Sequence, residues 1–580
     1  MPPPALRYRL SVADPIRRLL GLSLEVRGVR AGEPLVLRLP AWSPGSYLIR
    51  EYGRHVEGVE ARDGRGRRLR VRRIAKDRWE VRAPAAGGTV RAAWQVYANE
   101  LTVRNNHVDD THAFVQPPAA FLCPEGMEGH PAVVNAASPR GWDTACSLPR
   151  VRGLLRAENQ EELHDSPIHM GELRRFPFRV RGVPHELALW GEGNEDPRGL
   201  VRDLAAIVEA GARLFGGLPY RRFVVHGLLG DAGAGGGLEH RDGFVFLVPR
   251  WSFRGTKGRD RVLALLAHEF FHVWNVRRIR PAGLLPYDLS AERYTRLLWQ
   301  FEGVTSYYEV LLLRRAGLWT RERALEALGE RIGSLLAVPG RRAMPLAEAS
   351  LAAWVKHYRP DENTANAAVS YYLKGALAGL ALDLHVRGAT GGRRSYDGAM
   401  RLLWRRFGRT GRPVPEDAMP ALLREATGVD VRRLHDRLVE GTGEIDWESL
   451  LAPFGVRVAR EPAKGPDGIG PGGWLGVEAE ERGGRTLLKA VRSDGPAAGA
   501  LAAGDEVVAV DGHRADGAAL AGRAAERRPG EVLRLTLLRG DRLVAAEVRL
   551  GRPPAETVAL RADPKAPAAA RRLLRGWLGA

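Results

Sequence analysis

Val262-Leu-Ala-Leu-Leu-Ala-His-Glu-Phe-Phe-His-Val-Trp-Asn275 is the stretch from which the rest of the chain can be read. Val262, Leu263, Leu266, Phe270, Val273 and Trp274 recur at helical spacing and supply a buried face. His268 and His272 fall four residues apart, so on a helix their rings stand one turn above each other. Two imidazoles at that spacing suit one zinc ion, with Glu269 beside them as a base toward water. The competing reading is two core or surface histidines that fall four apart by accident, so the pattern needs support from the rest of the chain.

A second helical run covers 294–313 and contains Trp299-Gln-Phe-Glu-Gly-Val-Thr-Ser-Tyr-Tyr-Glu309. Catalytic zinc takes three protein ligands and keeps one position open, so the histidine pair lacks one donor. Glu302 is the expected third ligand, because its neighbours Leu298, Phe301 and Val304 argue against a solvated surface acid. Glu302, Thr305, Ser306 and Glu309 share a helix face. Ser306 or Glu309 could therefore orient the ligands from behind, or simply pack or face solvent. Two strand-like apolar runs, 223–229 and 244–248, flank Gly233-Ala-Gly-Gly-Gly-Leu-Glu-His240. No Gly-Lys-Ser/Thr ending follows, which excludes a phosphate-binding loop and leaves Glu239 as the residue of interest. A third helix is expected over 365–386, with Ser370-Tyr-Tyr-Leu-Lys-Gly375 inside it.

With 580 residues the chain has room for about three or four domains. The formal charge of +20 comes almost wholly from scattered arginine, with seven lysines among 88 basic residues, so it reads as compositional bias rather than a nucleic-acid footprint. Cys123 and Cys146 give no disulfide framework and read as two inert thiols, with pairing left open. Arg7, Arg9, Asp14, Arg17 and Arg18 interrupt any leader-like core, and no run approaches a membrane span. A cytoplasmic protein is the expectation.

Period-two runs such as Leu22, Leu24, Val26 and Val90, Ala92, Trp94, Val96 predict an N-terminal β domain over 1–165, with Asp165-Ser-Pro-Ile168 as a boundary turn. Pro40-Ala-Trp-Ser-Pro-Gly-Ser-Tyr47 is assigned to packing or inter-domain contact. A mixed domain over 166–330 holds the motifs, and amphipathic segments predict a helical domain over 331–455. The Gly/Pro-rich stretch 456–473 reads as a linker, 468–552 as a compact β unit, and 553–580 as a loosely ordered tail with a final short helix.

His268-Glu-Phe-Phe-His-Val-Trp-Asn-Val-Arg-Arg-Ile-Arg-Pro281 and Leu298-Trp-Gln-Phe-Glu-Gly-Val-Thr-Ser-Tyr-Tyr308 resemble the glycyl aminopeptidase family of zinc metallopeptidases. Pro40 to Tyr47, Asp165 to Ile168, Gly236-Gly-Leu-Glu-His240 and Tyr371-Tyr-Leu-Lys-Gly375 are similar to stretches of that family too. So is the C-terminal unit, which resembles a PDZ domain. The resemblance implies a multidomain α+β chain: an N-terminal β-sandwich, a thermolysin-like mixed α/β catalytic domain with a helical domain, and a PDZ-like β domain. It implies one Zn2+ per chain on His268, His272 and Glu302, with Glu269 as general base. It also implies Glu239 as the group that holds a substrate's free α-amine, although His240 follows where related enzymes have Asn. Tyr372 is implied as the oxyanion-stabilising phenol, preferred to Tyr371, which lies about 100° away on the helix. Trp474-Leu-Gly-Val477 falls at the carboxylate-binding loop of PDZ domains, with Trp474 where the pattern has Gly.

The resulting expectation is an aminopeptidase that removes glycine or another small first residue from peptides with a free N-terminus. A peptide C-terminus at the PDZ-like unit and an oligomer are left open, and neither nucleic acid nor membrane is expected as a partner. The rivals are a non-catalytic PDZ peptide-binding protein with a vestigial metal site, a zinc endopeptidase, and a zinc hydrolase of a non-peptide bond.

Overall fold

The computed structural model describes residues 6–231, 233, 235–462 and 472–579. It forms two compact units. One comprises Met1–Thr295, Tyr308–Leu318 and Met400–Glu416; the other comprises Arg296–Tyr307, Trp319–Ala399 and Asp417–Ala580. No helix among the described residues is long and apolar enough to cross a membrane.

In the first unit, strict alternation turns the N-terminal strands into a sheet with one buried face. Leu6–Asp14 pairs antiparallel with Leu19–Val29, which pairs with Gly88–Tyr97 in a register that sets Leu22 against Trp94 and Leu24 against Ala92. These strands belong to an eight-stranded sheet. A four-stranded sheet containing Leu35–Arg38 and Arg78–Val81 contributes Leu37, Trp79 and Val81 to the same core. This is the expected β-sandwich. Cys123 and Cys146 are buried free thiols, and burial pushes them up to about 12 and about 11.

The same unit holds a five-stranded mixed sheet in the order Arg174–Val180, Val183–Trp190, Phe223–Gly230, Gly243–Pro249, Gly236–His240. Phe223–Gly230 is buried at every position, which is why it reads as an unbroken apolar run rather than an alternation. Gly236–His240 pairs antiparallel with Gly243–Pro249 and is the last strand of the sheet. Helices Pro197–Phe215 and Gly255–Phe271 cross closely at Gly211, where an added Cβ would lie 2.8 Å from the Phe270 ring.

In the second unit, the expected helix over 294–313 begins instead as a π-helical turn, Trp299–Gly303, and continues as an α-helix from Val304. The helix expected over 365–386 is split. Thr364–Ala367 is one turn, and a new helix starts at Tyr371 because the Ser370 side chain caps the amide of Leu373 at 3.3 Å. That helix packs on the π turn through a glycine pair, since a Cβ on Gly303 would lie 2.5 Å from Gly375 Cα.

The PDZ-like unit is a sheet ordered Val477–Arg482, Arg485–Val491, Glu506–Val510, Val532–Arg539, Arg542–Arg549, with His513–Arg514 beside Glu506–Val510 and helix Gly517–Glu526. The linker and tail expectations need correction. Val456–Glu461 is a strand paired with Thr557–Ala562, from Val456↔Ala562 to Glu461↔Thr557. The linker positions Pro466, Gly468 and Gly470 lie outside the described residues. Gly329 and Gly333 on helix Arg321–Leu336 admit this ribbon, because Cβ atoms there would meet the carbonyls of Val558 and Glu556 at 2.6 and 2.3 Å. The final helix, Ala568–Leu578, buries Leu574, Trp577 and Leu578. Trp577 Nε1 donates to Tyr307 Oη at 3.0 Å, and Tyr307 donates to the buried Asp383 at 2.6 Å. Periodicity missed the ribbon because its two strands are about a hundred residues apart, so neither carries a turn signal pointing to the other.

Candidate active site

The helix Gly255–Phe271 ends at His272, its C-cap, so the two motif histidines occupy its last turn. Each ring is oriented through Nδ1. His268 Nδ1 lies 3.2 Å from Glu309 Oε2, and His272 Nδ1 lies 2.6 Å from the Asn275 carbonyl. With Nδ1 engaged in this way, Nε2 is the ring nitrogen that could serve as a ligand. One donor atom from each of His268, His272 and Glu302 lies within 4.8 Å of the other two. A set of two imidazoles and one carboxylate, with the imidazoles fixed from behind, fits zinc.

Glu302 sits inside the π turn, a local distortion that re-aims side chains within a helix. Of the two expected helpers, Glu309 lies against the His268 ring. The Ser306 carbonyl accepts from Arg331. Tyr372 faces Glu302 and is raised well above the ordinary tyrosine value, by burial first and then by the Glu302 charge. Its hydroxyl therefore stays protonated and able to donate. Tyr371 stacks on Tyr372 with ring centroids 4.7 Å apart, and His357 lies 5.3 Å from the Tyr372 ring.

The edge strand Gly236–His240 brings Glu239 to the same region as the motif helix. Glu239, Glu269 and His272 offer donor atoms within 4.8 Å of one another. Two glycines make this approach feasible. A Cβ on Gly237 would stand 2.0 Å from Glu269 Oε1, and one on Gly45 would stand 2.4 Å from Glu239 Oε2. Gly45 has φ +88°, so the turn itself favours glycine. The segment Pro40 to Tyr47, assigned from sequence to packing or inter-domain contact, is thus pressed against the Glu239 carboxylate. Glu239 is 4% exposed, and its Oε1 has no hydrogen-bond partner among the described residues.

Sequence reasoning also missed a buried ion network behind Glu239. Asp165, expected only as a boundary turn, accepts from Arg277 at 2.6 Å, lies 3.1 Å from His240 Nδ1 and accepts from the Arg241 amide at 2.9 Å. Burial opposes its ionisation, yet the Arg277 guanidinium and the His240 ring hold the Asp165 carboxyl well below the usual range. His240 is thereby tied to the Asp165–Arg277 pair. The available signal was recurrence: Asp165, Arg277 and His240 all lie in stretches that carried the family resemblance.

In the PDZ-like unit, Trp474 exchanges two backbone hydrogen bonds of 3.0 Å with Gly551. The Arg492 guanidinium lies 5.1 Å over its ring, and Gly476 takes φ +77°. Trp474 thus holds a packing position at the mouth of the loop.

A Peptidase M61 N-terminal domain model matches residues 7–172, an M61 glycyl aminopeptidase model matches 261–378 and a PDZ domain model matches 473–550. No curated protein matches the sequence. Among solved structures, an aminopeptidase N family protein from Idiomarina loihiensis has a TM-score of 0.92 at 29% identity, covering 99% of this chain and 100% of that one. An M1 zinc metallopeptidase from Deinococcus radiodurans has a TM-score of 0.49 at 18% identity, covering 76% and 94%. The chain is a metallopeptidase, similar in order along its length to the M61 N-terminal domain, the M61 glycyl aminopeptidase domain and a PDZ domain.

Proposed function

We propose that this metallopeptidase is a zinc aminopeptidase that hydrolyses the first peptide bond of its substrates, with a preference for glycine or another small first residue. The observation that carries the exopeptidase reading is Glu239: a buried carboxylate whose Oε1 has no hydrogen-bond partner among the described residues, beside the Glu269 base. A buried carboxylate in that state suits a substrate ammonium, which forms strong charge-assisted hydrogen bonds and so fixes cleavage after the first residue. The small-residue preference rests on the family resemblance.

His268, His272 and Glu302 would hold the zinc. When bound, zinc supplies a Lewis acid at the scissile carbonyl and lowers the pKa of water. Glu269 takes the proton from the attacking water and passes it to the departing amine. Tyr372, protonated because burial and Glu302 raise its pKa, donates a hydrogen bond to the carbonyl oxygen as negative charge grows there. Glu309 and the Asn275 carbonyl hold the histidine rings in place. The PDZ-like unit would take a peptide C-terminus along the edge strand Val477–Arg482, or serve as a purely structural module.

Paired substrates test this. Glu239→Ala should slow cleavage of free-amine peptides far more than that of their N-acetylated forms, and equal loss on both would point to an endopeptidase. Glu269→Gln should keep zinc and lose nearly all hydrolysis. Wild-type protein that binds no zinc would instead make this a peptide-binding protein with a vestigial site.

A further inference from the structure

A second group of metal-capable side chains lies in the N-terminal β domain, on the hairpin formed by His107–Val108 and His112–Val115. One donor atom from each of His107, Asp109 and His112 lies within 4.8 Å of the others. His107 Nδ1 and His112 Nε2 are 2.7 Å apart, and His112 Nε2 is 4.0 Å from Asp109 Oδ2.

Two of the three donors, Asp109 and His112, are aimed by neighbouring groups. Asp109 Oδ1 accepts from the Thr111 amide, the Thr111 hydroxyl and the His112 amide at 2.8, 2.7 and 2.9 Å, which turns Oδ2 toward the histidines. The His112 ring stacks on Trp190 with centroids 3.6 Å apart and planes 9° apart, and Trp190 Nε1 is anchored to Thr111 Oγ1 at 2.9 Å. His112 Nδ1 lies 3.1 Å from His169 Nε2. A ligating imidazole whose other nitrogen is held by a partner is the usual arrangement at a metal centre.

We propose that His107, Asp109 and His112 form a second site for a divalent transition metal of the zinc class, apart from the one on His268 and His272. Two imidazoles and a carboxylate favour such an ion over calcium or magnesium. Bonds of about 2.0–2.2 Å place tetrahedral ligand atoms roughly 3.3–3.6 Å apart, so the pairs at 2.7 and 4.0 Å each need a shift of about half an ångström. Arg18 is the resident competitor. Its NH1 lies 3.8 Å from Asp109 Oδ2 and donates to the Val108 carbonyl, and its side chain is 33% exposed, so it can swing into solvent. Metal binding would clamp the base of a hairpin that leads directly to Gln116, whose amide donates to the Val103 carbonyl at 2.7 Å and lies 3.5 Å from His240 Nε2.

The test counts metal in the full chain after chelator stripping and dialysis against Zn2+, using elemental analysis beside circular dichroism and peptidase assays. Wild type should hold two equivalents. The double variant His107→Gln with Asp109→Asn should hold one and keep its peptidase activity. His268→Ala should hold one and lose activity, and with Co2+ it should still show visible absorption from the hairpin site. Arg18→Gln should tighten the hairpin site severalfold. A single wild-type equivalent that His268→Ala removes would overturn the second site and leave the proposed function standing. The converse, one equivalent lost only in the hairpin variant, would uphold this site and sink that function. Absence of the cobalt absorption in His268→Ala overturns the proposal even where the double variant fails to fold.

Discussion

Gly237→Ala probes the site with one methyl group. The new Cβ would stand 2.0 Å from Glu269 Oε1 and 2.3 Å from its Cδ, where contacts below 3.0 Å force something to move. Gly237 has no positive φ, so alanine adds no backbone strain, and the overlap falls on the proposed base. Glu269 must retreat by about 1 Å, a misplacement that costs on the order of 100-fold in rate, or about 2.7 kcal/mol. Steady-state kinetics on a free-amine peptide should therefore show that loss in kcat/KM, with bound zinc and melting temperature near wild type. Gly235→Ala is the matched control, since its Cβ would meet nothing within 4 Å, and it should behave as wild type. A Gly237→Ala enzyme within about threefold of wild type would refute the placement of Glu269 as the base.

Glu309→Ala removes the carboxylate behind His268, and competition with a chelator should show zinc affinity down by about 10–100-fold. Tyr372→Phe should lower kcat by on the order of 100-fold with little change in KM, and a change confined to KM would contradict the oxyanion role. Stability should fall as pH drops below 6.5, because burial holds His164 at about 3 and His185 at about 4. The unfolded chain binds those protons below 6.5 while the native chain refuses them until the lower values, so their contribution is complete above 6.5 and is lost on acidification. Asp165, held below its usual range, acts only at lower pH. Thermal melts across that window check this; His185→Gln should flatten part of the decline, and a midpoint constant down to about pH 4 would contradict it.

How much of this was legible in sequence depended on how far apart the interacting residues lie. His268, His272 and Glu302, whose donor atoms the fold brings together, could be singled out because metal coordination calls for such residue types and helix geometry sets the spacing of the histidine pair. The sandwich strands were readable from alternation for the same local reason. Gly45 was not readable, because its importance comes from Glu239, almost two hundred residues away on the strand Gly236–His240. Asp165 and Arg277 hid similarly: each reads locally as turn or surface, and only the fold buries them together. The π turn at Glu302 left no mark, since its residues suit an ordinary helix equally well. That Glu309 lies against His268 Nδ1 was not readable from the sequence, where Ser306 on the same helix face was an equal candidate.

The ribbon of Val456–Glu461 and Thr557–Ala562 also changes how the PDZ-like module relates to the chain. The chain enters and leaves that module through adjacent, paired strands, so the module occupies the tip of a hairpin rather than the end of a string. A hairpin tip is a cassette position. The module could be exchanged, lost or enlarged over evolution while the ribbon and the final helix kept their seats. Excising 463–553 and closing the ribbon with a short turn is therefore the way to isolate the peptidase, whereas a stop codon placed before the module would also remove the strand and helix that return to the helical core.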